Sequence, residues 1–119
     1  MLMKLKTYKN TALGRKQKET QLKLQRWKRS LEIAQKASIL LRQQFKVQEV
    51  ICFGSILQSD RFTLTSDIDL AVKGLAVEQF FRAVAQLQDL SPEFKIDLVD
   101  LDRCCRSLKI AILLNGQPL

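Results

Sequence analysis

Two short motifs lie at the ends of strand-like runs and constrain what this chain can fold into. Gly54 and Ser55 directly follow a β-branched and aromatic run over 47–53, while Asp67 and Asp69 open another such run. Because side chains alternate across a strand, the two carboxylates point to one face. Adjacent carboxylates repel each other unless a cation lies between them, and oxygen ligands favour Mg²⁺ completed by water and phosphate. The motifs therefore predict a phosphate-binding turn beside a magnesium site.

A third strand-like run, over about 94–99, contains Asp97, which is the best candidate for a third carboxylate. Between the strand-like runs, apolar residues recur every three or four positions, as in amphipathic helices. The elements follow in the order helix, strand, short helix, strand, helix, strand, helix. We therefore expect an α/β (α+β) fold, in which a small mixed β-sheet of about three strands is covered by helices.

The first and last helices are predicted over about 20–44 and about 101–114. The first carries one apolar stripe, which consists of Leu24, Trp27, Leu31, Ala34, Ala37 and Leu41. Apolar residues at this spacing usually pack, so Trp27 is expected to be an anchor rather than a stacking surface for a ligand. Asp100 and Asp102 are expected to cap the last helix, because acidic groups favour helix N-termini.

Positive charge is concentrated at the start of this 119-residue chain. Residues 1–29 hold ten Lys or Arg against one Glu, whereas residues 30–119 are almost neutral. We therefore divide the chain into a basic, partly helical N-terminal arm, 1–29, and one domain, 30–119. The arm's composition fits a solvated leader, or a surface for an acidic protein or nucleic acid. Nucleic acid is not favoured, because only Tyr8 and Trp27 interleave with the charges.

Composition excludes several classes of site and location. The chain has no His, which rules out Ser-His-Asp and Cys-His catalysis, and its three Cys lack the C-x-x-C spacing of a zinc site. Cys52 falls in a predicted core strand, while Cys104 and Cys105 are adjacent on the predicted last helix, which fits a reducing compartment. No apolar run is long enough to span a bilayer, and the basic start lacks the apolar core of a signal peptide. We therefore expect a cytoplasmic protein with no membrane partner.

Three motifs occur in an order that is typical of one family: Gly54-Ser55, Ser66-Asp67-x-Asp69 and the strand residue Asp97. From about residue 30 to residue 119, the chain resembles the minimal nucleotidyltransferases (MNT) of the DNA polymerase beta-like superfamily. These small proteins are often encoded beside a HEPN-domain toxin, for which they act as antitoxins. The resemblance implies the nucleotidyltransferase fold, a HEPN toxin as partner and ATP as the AMP donor. The chain is not the HEPN toxin itself, since the RNase motif of that family requires a His.

The resemblance also implies roles for single residues. Asp67, Asp69 and Asp97 would be the catalytic residues and the ligands of Mg²⁺, and Asp97 would also help to deprotonate the acceptor hydroxyl. The residues that would bind the nucleotide are Gly54, Ser55, Arg61 and Ser66. Transfer of AMP to a hydroxyl of the toxin, commonly that of a Tyr, would silence its RNase activity. The basic arm would then dock an acidic face of the toxin.

Two local features differ from the family pattern and leave other hypotheses open. Eleven residues rather than ten separate Ser55 from Asp67, and Ile56 and Leu57 follow the Ser where basic and small residues are common. Arg61 would supply the missing positive charge from the longer loop. A second hypothesis is therefore a catalytically weak member that neutralises the toxin by binding alone. A third, a small-molecule nucleotidyltransferase, is disfavoured because the chain offers no second domain for an acceptor pocket.

Overall fold

The computed structural model describes residues 12–119, and its elements follow the predicted order. Three helices and four strands are present in this range, with two short 3₁₀ segments at Gly54–Leu57 and Val77–Gln79. Their bounds are α1 Ala12–Phe45, β1 Glu49–Phe53, β2 Ile68–Lys73, α2 Phe80–Gln88, β3 Ile96–Asp100, α3 Arg106–Asn115 and β4 Gln117–Pro118. The predicted α/β (α+β) fold is confirmed.

The four strands form one mixed sheet in the order β3-β2-β1-β4. β1 pairs antiparallel with β2 and with the two-residue strand β4, whereas β2 and β3 pair in parallel. Parallel neighbours need a crossover connection, which contains α2. The sheet therefore has three full strands, as expected, and a short edge strand from the end of the chain.

The two faces of the sheet pack in two separate clusters. Leu70 and Val72 of β2 are fully buried in the larger cluster, together with residues of α1 and α2. Ala71, which points the other way, packs in a smaller cluster with Ile112 of α3. This alternation follows the two-residue period of a strand. Asp69 has the parity of Ala71 and therefore lies on the α3 side of the sheet.

The buried stripe of α1 is rotated relative to the predicted one. Leu24 and Leu31, expected in that stripe, are 41% and 36% exposed, whereas Arg26 and Ser30 are buried. Trp27 is half-buried and packs against the larger cluster, as predicted. The predicted stripe is wrong at the two Leu positions because apolar periodicity carries no signal for a buried Arg or Ser.

The segment that precedes α3 is a turn rather than helix. α3 begins at Arg106, so the helix predicted from Leu101 is wrong over residues 101–105. Cys104 and Cys105 lie in this turn and not on the helix; the first is half-buried and the second is exposed.

The two carboxylates predicted to cap the last helix stabilise turns instead. The Asp102 N–H donates to the Asp100 carboxylate at 3.0 Å, and Asp100 also pairs with Arg103 at 2.6 Å. The Gly74 N–H donates to the Asp102 carboxylate at 2.9 Å, which ties the end of β2 to the turn after β3. The cap prediction is wrong because these turn amides are nearer donors than those of α3, and short Asp side chains favour such local bonds.

The first eleven residues of the predicted arm lie outside the described residues. From Ala12 onward, α1 runs without a break past position 29, so this part of the arm and the start of the domain share one helix. The division at that position stays a prediction. Within residues 12–119, no helix is long and apolar enough to cross a membrane.

Candidate functional site

Asp69 and Asp97 are neighbours across the parallel pair of β2 and β3. The two residues are register partners, and Phe53, the last residue of β1, is the partner of Asp69 on its other side. Asp67 lies one residue before the start of β2 and has the parity of Asp69. The sheet therefore brings the three predicted carboxylates to the end where β1 finishes and β2 and β3 begin.

Gly54 directly follows β1 and lies against the Asp69 carboxylate. Its φ of 78° falls in the left-handed region, and a Cβ at this position would lie 2.5 Å from Asp69 Oδ2. Glycine is the residue that satisfies both the dihedral angle and the close approach. The backbone of the Gly-Ser turn thus lies directly beside the Asp69 carboxylate.

Within residues 12–119, the Asp69 carboxylate has no ion-pair partner. Burial, and then the neighbouring carboxylates of Asp97 and Asp67, raise the pKa of Asp69 from 3.8 to about 6, while Lys95 opposes the rise. Lys95 pairs instead with Asp97, at 3.6 Å and in solvent, where such pairs are weak. A cation between the carboxylates would remove the repulsion.

The carboxylates do not by themselves form a closed metal site. Across residues 12–119, no group of three Asp, Glu or Cys side chains is arranged to hold an ion. Mg²⁺ commonly keeps several waters and takes only one or two carboxylates together with substrate phosphates. These oxygen donors fit an ion of this kind, whose remaining ligands would come from phosphate and water.

A cavity of about 680 Å³ opens beside the Gly-Ser turn, a size typical of small-ligand sites. It is lined by Gly54, Ser55, Leu57, Gln58, Arg61 and Asn115. Gly54 connects the cavity to the carboxylates, because it lines the former and touches Asp69. Asn115, at the end of α3, also lines the cavity, and the sequence motifs did not indicate it; its amide nitrogen donates to the Ala111 carbonyl at 3.2 Å. No local pattern could have found it, since it is distant in sequence from the turn.

Ser66 closes the loop before β2, and it is absent from the residues that line this cavity. Its hydroxyl accepts a hydrogen bond from the Thr63 N–H at 2.8 Å and lies 3.0 Å from the Thr63 hydroxyl. Contact between Ser66 and a nucleotide therefore stays a prediction. Arg61, by contrast, lines the same cavity as Ser55.

Two adjacent residues of α1 hold the segments between β1 and β2. The Trp27 indole N–H donates to the Ile56 carbonyl at 2.8 Å, within the 3₁₀ segment of the Gly-Ser turn. Arg26 donates to two carbonyls of the loop that precedes Asp67. The predicted arm contains both residues; Trp27 was expected to pack, whereas a basic residue within a run of charges, such as Arg26, gives no sign of being buried.

A second, more apolar cavity of about 350 Å³ lies at the opposite end of β3. Its lining consists of Val77, Phe80, Phe81, Asp100, Arg103 and Cys104. None of the motif residues lines it, and its two charged residues are paired with each other. The candidate site is therefore the cavity at the Gly-Ser turn together with the adjacent carboxylates.

Comparison with known proteins gives both a family and related structures. The model of the family described as polymerase beta, nucleotidyltransferase, matches residues 35–119, a range that contains all three motifs. One similar solved chain belongs to a toxin–antitoxin complex with AMP-PNP: identity is 28%, the TM-score is 0.60, and the match covers 71% of this chain and 70% of that one.

Two further solved chains come from related complexes. One belongs to the toxin–antitoxin complex MntA-HepT, with 25% identity, a TM-score of 0.57 and coverage of 74% of this chain and 69% of that one. The other belongs to a tri-AMPylated Shewanella oneidensis HEPN toxin in complex with MNT antitoxin, with 26% identity, a TM-score of 0.57 and coverage of 75% and 70%. No curated protein matches the chain.

Proposed function

The chain belongs to the polymerase beta nucleotidyltransferase family, and from this premise we propose that it is the antitoxin of a HEPN/MNT pair that transfers AMP from ATP to its toxin. The geometric observation that carries the proposal is the register pairing of Asp69 with Asp97 against the backbone of Gly54. This arrangement sets the two carboxylates beside a nucleotide-sized cavity. Similar solved chains come from complexes whose descriptions include AMP-PNP and an AMPylated HEPN toxin.

The cavity supplies groups suited to the phosphates of ATP. We assign the backbone N–H groups of Gly54 and Ser55 and the Ser55 hydroxyl to the β- and γ-phosphates, since successive turn amides form anion-binding concavities. Arg61 adds a positive charge in the same cavity. Ser66 would bind the nucleotide directly, or would hold the 63–66 loop in its conformation through its hydrogen bonds to Thr63.

Asp67, Asp69 and Asp97 would hold Mg²⁺ only together with the phosphates of ATP and water, since the three carboxylates by themselves do not form a closed site. When bound, the ion neutralises the charge that develops on the phosphates. Each carboxylate acts by presenting oxygen donors at a fixed place, and the β2–β3 pairing fixes Asp69 and Asp97 relative to each other. Preorganised charges of this kind are a large part of catalysis of group transfer.

Asp97 would also accept the proton of the attacking hydroxyl. Its side chain is 44% exposed, which leaves it accessible to a residue of another protein. In the proposed step the hydroxyl oxygen bonds to the α-phosphorus, its proton moves to the Asp97 carboxylate, and the bond to the β-phosphate oxygen breaks to release pyrophosphate. The acceptor we propose is a Tyr hydroxyl of the HEPN toxin. The added AMP would block the toxin's RNase site by bulk and charge.

The exposed basic residues of α1 would dock an acidic face of the toxin. Arg15, Lys16 and Lys18 are exposed on the first turns of α1, before the helix reaches the sheet. Complementary charge steers association and weakens with added salt. In this proposal the protein acts in the cytoplasm, where both ATP and Mg²⁺ are present.

One observation favours a second function, neutralisation by binding alone. Ile56 occupies the position directly after Ser55 and is 1% exposed, so this position offers no positive charge to a phosphate. Arg61 is then the one cation that the described residues contribute to the cavity. Because the phosphates would be held by less positive charge, transfer of AMP would be slow.

Growth of cells that express the HEPN toxin distinguishes the two functions. We expect rescue by the wild type, and no rescue by the Asp67→Asn, Asp69→Asn double variant, although this variant should still bind the toxin in a pull-down. Asp60→Asn, which changes an exposed turn carboxylate, is the matched control and should rescue. Full rescue by the double variant would refute transfer as the mode of neutralisation and support binding alone.

A further inference from the structure

Arg26 of α1 is a buried cation on the inner face of a helix. Its residue exposure is 8%, whereas arginine is almost never buried unless it is paired. The charge is close to one carboxylate, that of Glu93, at 4.0 Å from Nε. Such a side chain is costly to bury, so its position calls for an explanation.

The Arg26 guanidinium donates to three backbone carbonyls from two segments. Nη1 donates to the Ser66 carbonyl at 2.8 Å and to the Thr63 carbonyl at 3.2 Å. Nη2 donates to the Glu93 carbonyl at 3.3 Å. The planar fork of five donors makes such divergent contacts, which the single ammonium of lysine does not reproduce.

Two aromatic rings fix the plane of the guanidinium. Its central carbon lies 4.3 Å from the ring centroid of Phe94 and 5.4 Å from that of Phe62. Both rings are buried, and each belongs to one of the two segments that Arg26 joins. Cation–π contacts of this kind strengthen when water is excluded.

The two segments lead directly into the strands that carry the carboxylates. The Ser66 carbonyl belongs to the peptide bond that joins Ser66 to Asp67, and Glu93 lies four residues before Asp97. Because β2 and β3 are parallel, their leading segments lie side by side, and Arg26 bridges them. We propose that Arg26 is a positioning residue for AMP transfer, which fixes Asp67 relative to Asp69 and Asp97; this inference rests on the proposed function.

The neighbouring Arg29 provides a control that distinguishes positioning of the carboxylates from packing of α1 against the domain. Arg29 makes two short hydrogen bonds to the Glu93 carboxylate, at 2.6 and 2.8 Å, from a half-exposed position on the same helix. Its side chain makes no hydrogen bond or ion pair with the described loop residues 63–66 that Arg26 holds. Arg29→Gln therefore removes the stronger attachment of α1 to the Glu93 side chain and leaves the contacts to Thr63 and Ser66 intact.

The experiment compares Arg26→Gln, Arg26→Lys and Arg29→Gln in three measurements. The first is the initial rate of label transfer from α-labelled ATP to an excess of the HEPN toxin, over a range of ATP concentrations, which gives kcat and KM for ATP. The second is amide hydrogen exchange over residues 58–66, and the third is thermal unfolding, so that all assays run on folded protein. We expect Arg26→Gln to lower kcat about a hundred-fold with little change in KM, since small misplacements cost about that much.

Exchange over 58–66 should accelerate in Arg26→Gln, should remain at the wild-type rate in Arg29→Gln, and should be intermediate in Arg26→Lys. Wild-type kcat in folded Arg26→Gln would overturn the proposal. An equal loss of kcat in Arg29→Gln would also overturn it, because packing of α1 alone would then account for the effect. If Arg26→Gln does not fold, Arg26→Lys decides by the same criteria. If the wild type transfers no label, the proposed function fails, and exchange over 58–66 still decides whether Arg26 fixes the loop.

Discussion

Replacement of Asp69 by Asn should stabilise the metal-free protein while it removes activity. The side chain is half-buried beside Asp97 and Asp67, and burial and these carboxylates raise its pKa to about 6. The ionised form is therefore less favourable in the folded chain than in the unfolded one. Asn keeps the shape of the side chain but carries no charge, so the repulsion disappears.

The magnitude and the pH dependence follow from the pKa. A rise from 3.8 to about 6 corresponds to at most about 3 kcal/mol at neutral pH, and solvent screening at this half-buried site reduces that to about 1–2 kcal/mol. The folded state binds the Asp69 proton more tightly than the unfolded state does. The stability gained from this tighter binding is fully present below pH 3.8 and is lost as the pH rises through about 6. The advantage of Asp69→Asn should thus be about a fifth of its full value at pH 4 and reach that full value by pH 8.

Thermal and urea unfolding in EDTA at the two pH values measure this advantage. In a chain of this size, about 1–2 kcal/mol raises Tm by roughly 5 °C. Asp60→Asn, at an exposed turn, is the control and should leave Tm unchanged at both pH values. An Asp69→Asn variant that is less stable than wild type at pH 8, or equally shifted at pH 4, would refute the reasoning that charge repulsion dominates this site.

Three further predictions concern the turn, its attachment and the ion. Gly54→Ala should lose about 1–3 kcal/mol of stability and all transfer activity, because it combines a strained φ with a Cβ against Asp69; Gly74→Ala, with a similar φ of 85° at the other end of the sheet, should lose stability in urea unfolding but keep transfer activity. Trp27→Phe should cost about 1 kcal/mol through the lost hydrogen bond to Ile56 and speed amide exchange in the Gly-Ser turn; wild-type exchange there would contradict that role. Added Mg²⁺ with AMP-PNP should raise Tm of the wild type and not of Asp69→Asn. An equal rise in both would mean that the ion binds without the Asp69 carboxylate.

The sequence was sufficient to predict the carboxylate cluster. Asp67 and Asp69 show one-face alternation, and Asp97 is the second residue of the next strand at the same end, so local patterns and strand parity together predict that the three carboxylates lie near one another. The fold class follows from the apolar spacing, which is two residues in the strand segments and three to four residues in the helical segments between them. These are local signals, and the structure preserves them.

Other features depend on contacts between distant segments, and no local pattern contains them. Arg26 has the composition of a solvated charge, yet it is buried by two segments more than 35 residues away. Asn115 reaches the cavity only because β4 returns the chain to β1. The predicted start of α3 was wrong because Leu101 is buried against the sheet. Its apolar side chain extends the helical spacing of α3 in the sequence, although residues 101–105 form a turn. In each case tertiary packing overrides the local signal.

The most direct test of the account is label transfer from ATP to protein, with the label on the α- or the γ-phosphate in parallel. The reaction contains Mg²⁺, this protein and a lysate of cells that hold its partner, and the Asp67→Asn, Asp69→Asn variant is the control. We expect label from the α position alone, on one acceptor band, and none with the variant. Label from neither position, with the wild type folded and bound to its partner, would contradict it.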